Sequence, residues 1–183
     1  MRLYIIRHAD PDYPNNTITP AGHLEAKALG ERMGKLGLDH IYASPMGRAI
    51  HTMEYSAKAL GKSHTIEDWT AEIGDTSIKI EPWGEMAVWD TPGEHIRAKA
   101  PYVTAENWHT HETFVNPVYK ARFDRVRADS DAFLERHGYK RLDGRYQPVR
   151  PNRDRVAVFC HGGFGLWWLC LLYTSDAADE GLG

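Results

Sequence analysis

The sequence predicts an α/β fold: a three-layer, doubly wound, mostly parallel sheet with helices on both faces and an inserted lid segment. Three observations carry that expectation. Short apolar runs at residues 3–6, 39–44 and 156–160 have the length and bounds of buried parallel strands. Amphipathic stretches of helical length stand between and after them. One long section, residues 73–117, breaks this alternation and is too long for a plain connection.

Taken in order, LYII ends at the charged boundary Arg7. From Pro20, AGHLEAKALGERMGKLG puts Leu24, Ala28, Met33 and Leu36 near helical spacing. Thr19 suits the N-cap, Pro20 the first helical position and Gly37 the stop. DHIYAS reads as a second strand closed by Ser44-Pro45, and residues 47–60 as a second helix ended by Gly61. Thr65 and Ile66 form a brief apolar edge. The section from 73 to 117, with Trp83, Trp89, Trp108 and several prolines, shows no sustained period and reads as a lid. Helical pattern returns from Val118 to about His137, with Tyr119, Phe123, Val126 and Phe133 facing the core and Gly138 ending it. Asp143-Gly144 suits a small hairpin turn. VAVFC then reads as the clearest strand, and Gly162 as the start of the last helix.

Composition narrows the function class. Of 183 residues, 42% are apolar and 26% charged, with a formal charge of −3, values ordinary for a single folded domain. No basic field favours nucleic acid, and no apolar run is long enough for a membrane span. The opening MRLYIIRHAD is charged too early for a secretory leader. Cys160 and Cys170 have no framework spacing, which suits a cytoplasmic protein without disulfides or a cysteine zinc site.

Functional groups in such sheets gather where strands end and helices begin. Here those junctions carry Arg7-His8, Ser44-Pro45 leading to Arg48, and His161-Gly162. If the three strands are neighbours, two histidines and two arginines converge on one sheet edge. That set suits phosphoryl transfer. Guanidinium groups fork onto phosphate oxygens, imidazole is a competent nucleophile, and amides at the helix start after His161 can bind a further oxygen. The reading requires neither metal nor cofactor, because the arginines supply the positive charge.

Arg7-His8, ITPAGHLEAKALGERM, IYASPMGRA and His161-Gly162, in that order, resemble the histidine phosphatase superfamily, which includes cofactor-dependent phosphoglycerate mutases. The resemblance does not cover residues 73–117. It implies that His8 becomes phosphorylated, that Arg7, Arg48 and Gly162 hold the phosphate, and that His161 completes the pocket and stabilises transition-state charge. It further implies an acid that protonates the leaving oxygen and then activates water. Glu72 stands where that acid is expected, with Glu67 and Glu81 as competitors. Ala9 replaces the glycine often found after the nucleophile, and Asn15 or Asn16 is a further phosphate contact. The expected activity is metal-independent hydrolysis of a phosphorylated small molecule or phosphoprotein. Mutase-type transfer and a non-catalytic phosphate-binding module are the alternatives.

Other features receive plainer readings. Trp108-His109-Thr110-His111-Glu112 offers two imidazoles and a carboxylate, but with no further ligand nearby it reads as a polar part of the lid. His23, His40, His51, His64 and His137 read as ordinary surface or helix residues. Trp83, Trp89 and Trp108 suit either a substrate pocket or packing that pins the lid. A cysteine phosphatase needs an arginine six positions after its cysteine, and Leu166 stands there after Cys160. Finally, residues 170–180, CLLYTSDAADE, resemble the translation of a sequencing-library adapter. That resemblance predicts a domain of residues 1–169 truncated within its last helix, a non-native tail over 170–183, and poorly covered Trp167, Trp168 and Leu169.

Overall fold

The computed structural model describes residues 1–74, 76–104 and 107–176, the last three as backbone. In chain order, strand β1 (Arg2–Arg7) leads through the short strands β2 (Pro11–Asp12) and β3 (Thr17–Ile18) to helix α1 (Pro20–Leu36). Strand β4 (His40–Ala43), helix α2 (Gly47–Leu60) and strand β5 (Thr65–Ile66) follow. The lid contains strands β6 (Ser77–Ile80) and β7 (Gly84–Ala87) and the one-turn helix α3 (Gly93–Ile96). Helix α4 (Pro117–Arg136), the hairpin β8 (Tyr139–Leu142) and β9 (Arg145–Pro148), strand β10 (Arg155–Cys160) and helix α5 (Gly162–Asp176) complete the described chain.

The main sheet is parallel throughout, in the order β1-β10-β4-β5. The last-formed strand in sequence thus lies between the first and β4. Period-2 alternation on β10 divides the interior. Val156, Val158 and Cys160 point to one face, packing with α4 and α5 through Val126, Phe133, Phe164 and Trp168. Ala157 and Phe159 point to the other, against Met33, Met53 and Ala57 of α1 and α2. Two cores on opposite faces of one sheet are the three layers the sequence predicts.

Local chemistry sets the helix ends as expected. Thr19 Oγ1 accepts the Gly22 amide at 3.1 Å, and Gly37 takes a positive φ of 72° at the other end of α1. Asp143 (φ 51°) and Gly144 (φ 82°) turn the β8–β9 hairpin, since its two central residues both need positive φ.

The lid is not patternless, because β6 and β7 pair antiparallel within it. Helix α5 runs across the expected domain end as far as Asp176, with Leu171 buried in the core beside Trp168. Trp168 is fully buried and Trp167 half-buried, while Leu169 is exposed. The rest of the expected tail, residues 177–183, lies outside the described residues. Among the described residues no helix is long and apolar enough to cross a membrane.

Candidate active site

Because β10 separates β1 from β4, the carboxyl ends of all three strands stand side by side. His8 follows β1, Ser44 follows β4 and His161 follows β10. The His8 and His161 rings are 5.3 Å apart between centroids. The convergence expected from sequence is therefore realised, and backbone pairing holds it: the His8 amide donates to Cys160 O at 2.9 Å and the Ser44 amide to Phe159 O at 2.9 Å.

His8 is buried, and its Nδ1 lies 2.7 Å from the Ala9 carbonyl oxygen. A carbonyl only accepts, so Nδ1 carries the proton and the neutral ring presents an unprotonated Nε2. Burial lowers the His8 pKa from 6.5. Arg48 and Arg7 act in the same direction, against the Ala9 bond and Glu72. The ring is thus held neutral with Nε2 unprotonated. The Ala9 amide donates to Thr52 Oγ1, and that hydroxyl donates to Arg48 O, tying the loop after β1 to the first turns of α2.

His161 is fully buried, with Nε2 2.7 Å from Ser44 Oγ. Burial, reinforced by Arg48, His8 and Arg7, pushes its pKa down to about 3. Among the described residues, His161 Nδ1 and Arg48 Nε are buried side-chain atoms without a hydrogen-bond partner. In a site expected to bind phosphate, both are suited to its oxygens. The Arg48 guanidinium carbon lies 5.3 Å from the centre of the Tyr13 ring, which stands nearly perpendicular to the His8 ring at 6.5 Å. Arg7 is exposed, its Nε passing 3.7 Å from where a Gly162 Cβ would stand. Gly47 is required at the start of α2, because a Cβ there would meet the Asn16 carbonyl oxygen at 2.1 Å. Asn15 is turned into its own loop, its amide nitrogen Nδ2 donating to Asp12 at 2.8 Å.

Glu72 reaches the same pocket from the segment after β5. Its carboxylate accepts the amides of Phe164 (2.8 Å), Gly163 (3.3 Å) and Ile73 (3.1 Å). This revises one expectation: two of the helix-start amides after His161 hold Glu72 rather than standing open for phosphate. The competing carboxylates are committed elsewhere. Glu67 is buried between Arg136 (2.6 Å) and the Trp69 indole (2.7 Å), and exposed Glu81 pairs with Lys79 at 3.3 Å. Burial pushes the Cys160 thiol up to about 12, which removes it as a nucleophile.

The lid closes over this edge through Trp89. A Cβ on Gly163 would meet its indole at 2.5 Å, so only glycine admits the contact. Beyond Trp89 lies a cavity of about 680 Å³, lined by Ile96, Trp108, Phe114, Phe123 and Trp167 among others. Trp83 does not line it and is exposed. Among the described residues His109, His111 and Glu112 are not gathered as a ligand set: His111 Nδ1 accepts the Thr113 amide and Glu112 binds Lys99 at 2.8 Å. Sequence reasoning assigned no role to Ser44, Thr52 or Tyr13. Thr52 had a signal, four residues after Arg48 on one helix face.

A pH effect on stability follows from His161. Its folded pKa of about 3 lies below the ordinary 6.5, so the unfolded chain binds the proton more readily. Its contribution is complete above pH 6.5 and is lost as pH falls toward 3. The urea midpoint is expected to drop between pH 6.5 and 4.5, with a shallower slope in His161→Asn. Equal slopes would refute this account.

The histidine phosphatase superfamily (branch 1) model matches residues 3–179. Proteins named "Probable phosphoglycerate mutase GpmB" from Salmonella arizonae and Salmonella paratyphi B are 28% identical over 82 residues, 40% of this chain. That match spans 38% of each relative's length. Among solved structures, a phosphoglycerate mutase from Bacillus anthracis aligns with TM-score 0.56 at 16% identity, covering 99% of this chain and 82% of its own. A phosphoserine phosphatase mutant from Entamoeba histolytica, in complex with phosphoserine, gives 0.55 at 16%, covering 99% and 85%. A mycobacterial glucosyl-3-phosphoglycerate phosphatase gives 0.51 at 18%, covering 91% and 77%. At these identities the structures establish the shared fold.

Proposed function

The chain belongs to the histidine phosphatase superfamily, and from that premise we propose that it hydrolyses phosphomonoesters through a phosphohistidine on His8. The observation that carries the reading is the His8 tautomer: the Nδ1 proton is held by Ala9 O, which leaves the Nε2 lone pair for phosphorus. Nε2 forms the new bond to phosphorus as the bond to the ester oxygen breaks. Glu72, protonated at that stage, gives its proton to the departing alcohol. Arg7, Arg48 and His161 meet the charge on the phosphoryl oxygens. In the second step Glu72 takes a proton from water, whose oxygen displaces Nε2 and releases inorganic phosphate.

Hydrolysis is preferred to mutase transfer because of the lid. Lys79, Arg97 and Lys99 stand there among acids and aromatics without a mutase-like carboxylate-binding pattern, and Lys79 and Lys99 pair with Glu81 and Glu112. The cavity beyond Trp89 combines aromatic walls with Arg127 and Arg141, and none of His8, Arg48, Glu72 or His161 lines it. The name of the curated relatives is what favours the mutase reading. Incubation with p-nitrophenyl phosphate tests the proposal: phosphate release with an acid-labile phosphoenzyme is expected, and neither appearing would sink it.

Glu72→Gln probes the proton donor. The amide oxygen can still accept from Phe164, but no acidic proton remains. The rate on poor leaving groups is expected to fall on the order of 10²–10⁴-fold, with little change for p-nitrophenyl phosphate turnover limited by phosphorylation. Equal loss on both would count against Glu72 as the acid.

A further inference from the structure

We propose that His40, His137 and Asp154 form a zinc site at the end of the sheet opposite the phosphate pocket. Among the described residues, one ligand atom from each of the three lies within 4.8 Å of the others. They come from three separate parts of the chain: His40 opens β4, His137 caps α4 and Asp154 immediately precedes β10. Side chains so distant in sequence meet only because β4 and β10 pair and α4 ends above their first residues.

The chemistry suits a borderline divalent cation. Two imidazoles and one carboxylate, with water in the fourth position, make an open zinc coordination set. Zinc ligands at ~2.0–2.1 Å in a tetrahedron lie about 3.4 Å from one another. His40 Nε2 and Asp154 Oδ2 are already 3.5 Å apart. The remaining separations close by rotation of His40 and Asp154, whose side chains are 45% and 40% exposed.

The third ligand is held in place. His137 is buried, its Nε2 is 3.0 Å from the Tyr42 hydroxyl, and its carbonyl accepts from Asn152 Nδ2 at 2.7 Å. Such outer contacts orient a ligating imidazole. Asp154 is fixed through its backbone, its amide donating to Asn152 Oδ1 and its carbonyl accepting the Arg2 amide. Arg136 and Arg150 lie near His137 and oppose a cation, but Arg136 is already neutralised by Glu67 at 2.6 Å.

The sequence reading expected no metal and took His40 and His137 as ordinary residues. The site stands a strand length from His8, ~13–20 Å at ~3.3 Å per residue. Zinc there takes no part in phosphoryl transfer. It clips the end of α4 to the starts of β4 and β10 and stabilises the folded chain by binding it selectively.

The test uses the full chain without an affinity tag, stripped with chelator and titrated with zinc chloride by calorimetry at neutral pH. One equivalent is expected to bind and to raise the thermal midpoint. His40→Gln and Asp154→Asn are each expected to weaken binding at least tenfold and to abolish the thermal shift, with midpoints unchanged when no zinc is added. His8→Ala should bind zinc as wild type does, which separates this site from the imidazoles of the phosphate pocket. Absence of binding, binding indifferent to both variants, or binding lost in His8→Ala would each overturn the proposal.

Discussion

His8→Ala is expected to yield no acid-labile phosphoenzyme and to lower kcat/KM on p-nitrophenyl phosphate by on the order of 10⁴-fold. The size reflects loss of the attacking atom itself. Arg7, Arg48 and His161 remain to bind phosphate, so the variant is expected to retain affinity for inorganic phosphate. That retention distinguishes a missing nucleophile from a collapsed pocket. If instead turnover persists near the wild-type level, water attacks phosphorus directly and His8 only positions the substrate.

Trp168→Ala has the largest expected effect on stability. The indole is fully buried among Trp69, Phe133 and Phe164, with ring centres 5.1–5.9 Å away, and its N–H donates to Ser130 Oγ at 2.8 Å. Truncation leaves a cavity and removes one hydrogen bond from the Ser130 hydroxyl, which keeps the Tyr146 hydroxyl at 3.3 Å, costing ~3–5 kcal/mol. Against a typical total of ~5–15 kcal/mol, that is a large share of the folding free energy. The consequence reaches the site, because Trp168 anchors the helix whose first amides hold Glu72. Urea denaturation should show the midpoint falling steeply at an unchanged slope. A loss below ~1 kcal/mol would mean that α5 is not part of the cooperative core.

Much of this was legible because the deciding interactions are local. Thr19, Pro20 and Gly37 bound α1 through contacts within a turn of chain. The unbroken apolar run VAVFC declared a strand buried on both faces. Arg7, His8, Arg48 and His161 could be singled out because strand ends are where an open α/β sheet displays its chemistry. The lid was less legible, since β6 and β7 are short and their pairing follows from a turn at a positive-φ Gly84 rather than from a strong apolar rhythm.

Sequence by itself determined the elements and the chemical types at their ends. Periodicity and capping are properties of neighbouring residues, and they survive without knowledge of the rest of the chain. Tertiary structure decided what depends on register and packing. It placed β10 between β1 and β4, which brings His8 to His161, and it set the His8 tautomer through Ala9 O. It also committed Glu67 to Arg136 while leaving Glu72 at the pocket, and it gathered His40, His137 and Asp154 at the far end. Contacts across a hundred residues are set by which strands pair and which faces pack, and no local pattern encodes that choice.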